Sequence, residues 1–245
     1  MLYDIEMTEP ASLLRCVKEN KLIRVGKHGI KTAAQLVNFS RQLGSLLEWD
    51  FGYVNELKVD EHKQNYLFSN EAVPFHWDGA FRQSPYLLVF HCVAAPATSA
   101  GGETLFTDSE KLLRHLSLEE LNLLQSIKLR YRTDKLAHYG GEIEVSPIQH
   151  HPYTRRETLR FAEPVETKLN PVSLKLEGAD ARSCDRLQKT LTRKLYDPMF
   201  CYSHQWQNND LLIADNHALL HGRLAFLKQS QRLLRRVQVL TPNFA

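Results

Sequence analysis

The sequence predicts a mainly β protein, either a closed barrel or two packed sheets, with helices on its outside. Many short apolar segments are separated by turn residues, which is typical of barrels and sandwiches. Only a few segments have apolar residues at the spacing of an amphipathic helix. The 245 residues show neither an internal repeat nor a linker, so we expect residues 1–245 to form a single domain.

Five segments have helical spacing or a helix-capping sequence. Pro10 suits a first helical turn, Asp108 or Ser109 suits an N-cap, and Ser117 with Glu120 forms a capping box. The predicted helices cover residues 10–20, 32 to about 49, 109–115, 118–126 and 179–195.

The remaining apolar segments have the length and composition of strands. Residues 86–94 are almost entirely apolar and lie between Pro85 and Pro96, which predicts a buried strand. Residues 50–73 have no clear period and are expected to contain loop and short strand. The other predicted strands are 22–25, 104–107, 127–132, 144–151, 158–163, 202–206, 211–215 and 232–240, with a connection at 216–231.

Composition excludes several classes of function. A net charge of +3, without a basic cluster interleaved with aromatic residues, argues against nucleic-acid binding. No apolar run is long enough to span a membrane, so no membrane partner is expected. The four cysteines are scattered and the first ten residues carry acids where a secretory signal has bases. We therefore expect a cytoplasmic protein with reduced thiols. The expected binding partner is a small-molecule substrate.

His76 and Asp78 are the first candidate site residues. In extended backbone, residues two apart point to the same face, so these side chains would supply two of the three ligands of a non-haem Fe(II) site. Such a pair is expected by chance roughly 1.3 times in a chain with 11 histidines and 28 acids. The pair therefore depends on support from elsewhere in the sequence.

That support lies near the end of the chain. His221 follows the strand that ends at Asp215 and could supply the second imidazole. Arg232 and Arg236 share one face of the next strand. Burial of an arginine inside an apolar barrel is costly unless a negative group pairs with its guanidinium. A carboxylate of a dicarboxylate cosubstrate could pair with the guanidinium through two hydrogen bonds, and the Thr104 hydroxyl could complete the hydrogen bonds of that carboxylate.

Taken together, these segments resemble the taurine dioxygenase family of Fe(II)- and 2-oxoglutarate-dependent oxygenases. The matching pieces are FHWDGAF, GGETLFTD, NDLLIADN followed by His221, and two arginines eleven and fifteen residues beyond that histidine. The resemblance spans roughly residues 66–240. Within the family, the block HQWQNNDLLIADNHALLHGR and the short chain are most similar to oxygenases that act on amino-acid-derived isonitriles.

The resemblance implies a double-stranded β-helix, or jelly roll. It implies that His76, Asp78 and His221 bind iron and that Thr104 and Arg232 bind the distal carboxylate of 2-oxoglutarate. With O2, such a site hydroxylates or desaturates its substrate. The chain departs from the family pattern at His217, where an arginine often follows Asp-Asn, and in its short length, which puts the size of any lid in doubt.

Several residues have a structural interpretation as well as a functional one. In the family the position of Arg236 can hold an anionic group of the substrate, but Arg236 could instead form a structural ion pair. Trp77 and Phe81 could be walls of a substrate pocket or part of the core. Arg235 is expected to face solvent. His204 and His217 are expected to be structural histidines. No second metal site is expected at His150-His151, because no carboxylate or cysteine is spaced to complete one. At Asp78, extended backbone is favoured over a helix cap or turn.

The sequence thus predicts an Fe(II)/2-oxoglutarate dioxygenase that acts on a small molecule carrying a carboxylate. The specific hypothesis is an isonitrile of an aromatic amino acid such as tyrosine, in secondary metabolism. A hydroxylase of a free amino acid, betaine or sulfonate is a competing hypothesis, and an acid in the pocket close to Arg236 would favour the free amino acid. A non-catalytic jelly-roll protein that binds a metal or ligand, and a zinc hydrolase that uses the same three residues, are hypotheses from different classes.

Overall fold

The computed structural model describes residues 1–60, 62, 66–134 and 141–243. These residues form sixteen strands and five α helices, so the protein is mainly β with flanking helices. The helices are α1 (Pro10–Asn20), α2 (Ala33–Leu43), α3 (Ser109–Arg114), α4 (Leu118–Ser126) and α5 (Ala181–Leu195). The strands are β1 (Leu2–Glu6), β2 (Leu22–Gly26), β3 (Gly44–Leu46), β4 (Asn55–Leu57), β5 (Val73–His76), β6 (Leu87–Ala94), β7 (Thr104–Asp108), β8 (Lys128–Thr133), β9 (Glu142–Val145), β10 (Ile148–His150), β11 (Glu157–Leu159), β12 (Val172–Glu177), β13 (Cys201–His204), β14 (Leu211–Asp215), β15 (Leu219–Arg223) and β16 (Leu233–Pro242).

Two sheets carry the candidate site. A seven-stranded sheet has the order β1-β2-β14-β6-β16-β3, with β4 also paired to β16. A four-stranded sheet has the order β13-β7-β15-β5, and all of its pairs are antiparallel. A three-stranded sheet (β12-β8-β9) and a two-stranded sheet (β10-β11) complete the fold. None of the described helices is long and apolar enough to cross a membrane.

Side-chain alternation on β6 shows how the layers are arranged. Leu87 and Val89 pack on one face with the buried residues of α1 and α2. Leu88 and Phe90 point to the opposite face and pack against Phe106 of the four-stranded sheet. The two sheets therefore face each other across one apolar core. The outer face of the four-stranded sheet packs against α3, α4 and α5.

One predicted helix is too long. The apolar spacing predicted a helix from Thr32 to about residue 49, but α2 ends at Leu43 and the next three residues pair with β16 as β3. At Gly44 a Cβ atom would lie 1.9 Å from the carbonyl oxygen of Thr241, so only glycine permits this close approach of the two backbones. Sheet pairing thus overrides the helical spacing that continues to Leu47.

The predicted connection at residues 216–231 is also wrong, because it contains β15. All five residues of β15 are buried, and the strand pairs with both β7 and β5. Because β15 contains His221, Gly222 and Arg223, its sequence lacks the continuous apolar pattern expected of a central strand. Two further strands, β1 and β12, were not predicted, and the predicted strand at 144–151 is divided into β9 and β10.

Candidate active site

The fold brings His76, Asp78 and His221 together. His76 is the last residue of β5, and it lies directly opposite His221 on the neighbouring antiparallel strand β15. One ligand-type atom from each of the three residues lies within 4.8 Å of the other two. Among the residues that the structure describes, no other group of three histidine, cysteine or acidic side chains could hold a metal ion.

Asp78 reaches this cluster from a turn, so the prediction of extended backbone is wrong. β5 ends at His76, and Gly79 has φ +80°, where a Cβ atom would lie 2.1 Å from the Gln83 carbonyl oxygen. The side chain of Asn216 holds this turn: its Oδ1 accepts the Asp78 N–H at 2.9 Å, and its Nδ2 donates to the carbonyls of Asp78 at 3.1 Å and Pro85 at 3.0 Å.

The two imidazoles have the arrangement of metal ligands. The Pro74 carbonyl can only accept, so His76 Nδ1 donates to it at 2.9 Å, and in the neutral ring this leaves the Nε2 lone pair free. His221 Nε2 is buried and has no hydrogen-bond partner. Burial, followed by the neighbouring His76, lowers the pKa of His221 well below its usual value. A neutral imidazole is the form that binds a metal ion.

Asp78 completes the set as a buried carboxylate. Its Oδ1 lies 3.6 Å from His76 Nε2 and 3.7 Å from His221 Nε2, which is beyond ordinary hydrogen-bond distance. Arg236 Nη1 donates to this Oδ1 at 3.1 Å and lies 2.8 Å from Oδ2, and Oδ2 accepts from Gln238 Nε2 at 2.6 Å. Burial by itself would raise the pKa of Asp78, but Arg236 and the two histidines hold that pKa well below its usual range. The carboxylate is therefore ionised, and the donor set fits a divalent metal such as Fe(II).

A small cavity leads from His76 and His221 to Thr104 and Arg232. Arg232 is 3% exposed, donates from Nε to Gly102 O at 3.0 Å, and has a buried Nη1 with no hydrogen-bond partner. Burial, followed by the neighbouring Arg223, lowers the pKa of Arg232 to about 9. Because an unpaired buried guanidinium N–H is costly, these residues fit a carboxylate ligand.

Thr104 is oriented for the same ligand. Its Oγ1 accepts from Trp206 Nε1 at 2.9 Å and lies 3.5 Å from Arg232 Nη2. Since the indole N–H can only donate, the hydroxyl proton of Thr104 remains available to an acceptor. The threonine and the arginine therefore offer donors to the same small cavity.

A larger cavity of about 120 Å³ lies on the other side of His76 and Asp78. Trp77 and Phe81 line this cavity. The same two side chains pack with the hydrophobic residues on the outer face of the four-stranded sheet. Each of these aromatic residues is therefore part of the cavity wall and part of the core. Arg236 lines both cavities and has a buried Nε without a hydrogen-bond partner.

Three of the other histidines singled out in the sequence have polar contacts with buried groups. His204 bonds to Asp210 at 3.0 Å, His217 contacts the guanidinium of Arg160, and His151 bonds to Asp215 at 2.8 Å. These contacts are compatible with structural roles for the three histidines. Arg235, which was expected to face solvent, is only partly exposed. It lies 3.4 Å from Glu56 and donates to the Lys31 carbonyl at 3.2 Å.

Four residues around the cavities were not selected from the sequence: Trp49, Glu163, Asn216 and Gln238. Gln238 could have been found, because it is two residues from Arg236 and thus on the same face of the strand. Asn216 belongs to the quoted segment NDLLIADN but carried no separate signal. Trp49 and Glu163 reach the site only through long-range packing.

Comparison with known proteins connects this geometry to a family. The model of the family described as "Taurine catabolism dioxygenase TauD, TfdA family" matches residues 4–238. The 3-((Z)-2-isocyanoethenyl)-1H-indole synthase of Fischerella ambigua is 42% identical over 241 residues, which cover 97% of this chain and 88% of the relative. The tyrosine isonitrile desaturase of Pseudomonas aeruginosa is 37% identical over 212 residues, which cover 84% and 72%, respectively.

The solved structures of PvcB agree with these sequence matches. PvcB from Pseudomonas aeruginosa is 31% identical, with a TM-score of 0.81 and coverage of 98% of this chain and 86% of PvcB. A second structure describes PvcB as an Fe, alpha-ketoglutarate dependent oxygenase from an isonitrile synthetic pathway, at 30% identity, TM-score 0.78 and coverage of 97% and 85%. The likeness extends over nearly the whole chain.

The hydrogen bonds of Asn216 lead to a prediction about metal affinity. Asn216→Ala removes all three bonds that hold the Asp78 turn, so we expect the dissociation constant for Mn²⁺ to rise about 10- to 100-fold, as is typical when a partner of a metal ligand is removed. Electron paramagnetic resonance of free Mn²⁺ measures this constant. Asn20→Ala, which removes two side-chain bonds to Cys16 within α1, is the matched control and should leave it unchanged. Equal affinities in the wild type and in Asn216→Ala would contradict the positioning of Asp78 by Asn216.

Proposed function

We propose that this chain oxidises an isonitrile of an aromatic amino acid such as tyrosine. The chain belongs to the taurine catabolism dioxygenase TauD, TfdA family and is an Fe(II)- and 2-oxoglutarate-dependent dioxygenase. The observation that carries the proposal is the larger cavity. Aromatic side chains line it, and a buried arginine with an unpaired N–H lies beside the candidate metal ligands. An aromatic ring and a carboxylate on one small molecule match those two features.

The names of two relatives support the substrate class. One is a synthase of an indole that carries an isocyanoethenyl group, and the other is a tyrosine isonitrile desaturase. Both names combine an aromatic ring with an isonitrile. We therefore favour desaturation over hydroxylation, and secondary metabolism as the setting.

The assignment of site residues is part of the proposal. His76, Asp78 and His221 hold Fe(II), and Thr104 and Arg232 hold the distal carboxylate of 2-oxoglutarate. With 2-oxoglutarate and O2, the bound iron supplies an oxidant strong enough to take hydrogen from an unactivated C–H bond. The observations in favour are the unpaired Nε2 of His221, the unpaired Nη1 of Arg232 and the ionised Asp78.

The remaining residues of the chain bind and orient the substrate. Arg236 pairs with the substrate carboxylate, while Trp77 and Phe81 contact the aromatic ring. These contacts fix which C–H bond faces the metal ligands, and orientation of this kind determines whether oxygen is transferred or a second hydrogen is lost. The buried side of the cavity also limits access of water to the reacting carbon.

Fold, domain organisation and location complete the proposal. Two facing sheets with antiparallel strands are compatible with a double-stranded β-helix, and the family match from residue 4 to 238 is compatible with one domain over residues 1–245. A cytoplasmic location is compatible with the four free cysteines.

The second candidate is the hydroxylation of a free amino acid, and Glu163 is the observation that favours it. An ammonium group would need an acid in the larger cavity, and among the described residues the acids lining that cavity are Asp78 and Glu163. Asp78 is paired with Arg236. Glu163 Oε2 accepts the Phe75 N–H at 2.8 Å and the Tyr196 O–H at 2.7 Å. Because both acids already have partners, the isonitrile, which has no ammonium, is the better match.

Removal of the Arg232 guanidinium tests the cosubstrate site. We expect Arg232→Ala to raise the dissociation constant of the Mn²⁺-loaded protein for 2-oxoglutarate at least about 30-fold, because truncating one partner of a buried charge pair costs about 2 kcal/mol or more. Calorimetric titration measures this constant. Arg235→Ala, three residues away and directed at Glu56, is the control that should retain wild-type affinity. Unchanged affinity in Arg232→Ala would mean that 2-oxoglutarate binds elsewhere.

Product analysis tests the substrate. The protein is incubated with Fe(II), 2-oxoglutarate, O2 and either tyrosine isonitrile or tyrosine, and both succinate and the oxidised product are measured by mass spectrometry. We expect one succinate per desaturated isonitrile, and no succinate above background with tyrosine. Turnover of tyrosine alone would support the second candidate. Succinate formation that is independent of both compounds would contradict the proposed substrate class.

A further inference from the structure

Gln238 lies between the candidate metal ligands and the wall of the larger cavity. It belongs to β16, is 4% exposed, and lines the larger cavity together with Arg236. Its Nε2 donates to Asp78 Oδ2 at 2.6 Å, and its Oε1 accepts from Trp49 Nε1 at 2.8 Å. A single side-chain amide thus contacts both Asp78 and an aromatic residue of the cavity.

The chemistry of the two partners fixes the orientation of the amide. An ionised carboxylate can only accept, and an indole N–H can only donate. The oxygen of the Gln238 amide must therefore face Trp49, and its nitrogen must face Asp78. Exchange of the two amide atoms would lose both hydrogen bonds at once, so this orientation follows from the partners alone.

This orientation has a consequence for Asp78. With Gln238 on Oδ2, the other oxygen, Oδ1, is the one that lies 3.6 and 3.7 Å from the two imidazole Nε2 atoms. Oδ1 also accepts from Arg236 Nη1 at 3.1 Å, whereas Oδ2 keeps the hydrogen bond from Gln238 when the guanidinium of Arg236 engages another carboxylate. The buried Asp78 oxygen is then not left without a donor, a situation that would be costly.

The same amide holds the Trp49 ring. Trp49 lies between β3 and β4, and its backbone bonds with Gly52 in both directions, at 3.0 and 2.8 Å. The ring stacks on Phe51 with centroids 6.0 Å apart, and the Arg82 guanidinium lies 5.0 Å from its centroid. The hydrogen bond to Gln238 connects this surface stack to the buried part of the site.

We propose that Gln238 is a positioning residue for both parts of the site: it directs one oxygen of Asp78 toward the two imidazoles and holds the Trp49 indole as a wall of the substrate cavity. This inference rests on the proposed function, in which Asp78 is a metal ligand and the larger cavity takes an aromatic substrate. Gln238 itself touches neither the reacting atoms nor the metal.

The first measurement is metal affinity in Gln238→Leu, which keeps a similar volume and removes both hydrogen bonds. We expect its dissociation constant for Mn²⁺ to rise about 10- to 100-fold. Gln35→Leu is the matched control, because Gln35 bonds only to backbone N–H groups at the start of α2. Urea unfolding of the metal-free proteins separates a loss of metal affinity from a general loss of stability.

The second measurement is the environment of Trp49. The chain has three tryptophans, so the fluorescence of Trp49 is obtained by subtracting the emission of the matching Trp49→Phe protein. In the Gln238→Leu background we expect this emission to shift to longer wavelength and to become more accessible to acrylamide, because the indole N–H has lost its acceptor. Unchanged emission would overturn the role of Gln238 in holding Trp49.

The two results distinguish failure of this inference from failure of the proposed function. If wild-type protein binds Mn²⁺ and Gln238→Leu binds it within about threefold, the positioning role toward Asp78 is wrong while the metal site stands. If the wild type itself does not bind Mn²⁺, the proposed function fails. A rise in the dissociation constant that is equal in Gln238→Leu and Gln35→Leu would also overturn the inference, since the effect would then be general.

Discussion

The candidate site depends on how a buried negative charge is stabilised. Asp78 is 7% exposed, and a carboxylate removed from water is costly unless it is paired and hydrogen-bonded. Gln238 donates to Oδ2, and Arg236 donates to Oδ1 at 3.1 Å and lies 2.8 Å from Oδ2. Oδ1 also faces two imidazole nitrogens at 3.6 and 3.7 Å, and His221 Nε2 has no hydrogen-bond partner. Atoms that carry lone pairs and converge in a buried space repel one another, and a cation between them removes that repulsion.

The two facing sheets provide this arrangement from opposite sides. The four-stranded sheet supplies both histidines from adjacent strands, in register, while β16 of the seven-stranded sheet supplies the groups that hold Asp78. The turn between β14 and β15 supplies Asn216, which fixes the backbone of Asp78. The candidate metal ligands and the two cavities beside them are therefore built mainly on the strands of these two sheets, with Asp78 and Asn216 in turns next to them.

Sequence order and spacing were sufficient to select several residues that the fold brings together. His76, His221, Thr104 and Arg232 line one cavity, and the helices with capping residues begin where the sequence predicts. Backbone conformation was harder to predict, since the turn at Asp78 depends on contacts with Asn216, 138 residues away. A neutral residue such as Trp49 is recognisable only when long-range pairing is known, because indole groups also occur in ordinary cores.

The most direct test of the account is an anaerobic titration monitored by visible absorption. Protein reconstituted with Fe(II) and 2-oxoglutarate should develop the weak metal-to-ligand charge-transfer band of the iron chelate, and addition of tyrosine isonitrile should shift that band. Both the band and the shift are expected, since the two cavities share His76 and Arg236. Absence of the band, with iron shown to be bound, would contradict the assignment of the small cavity to 2-oxoglutarate.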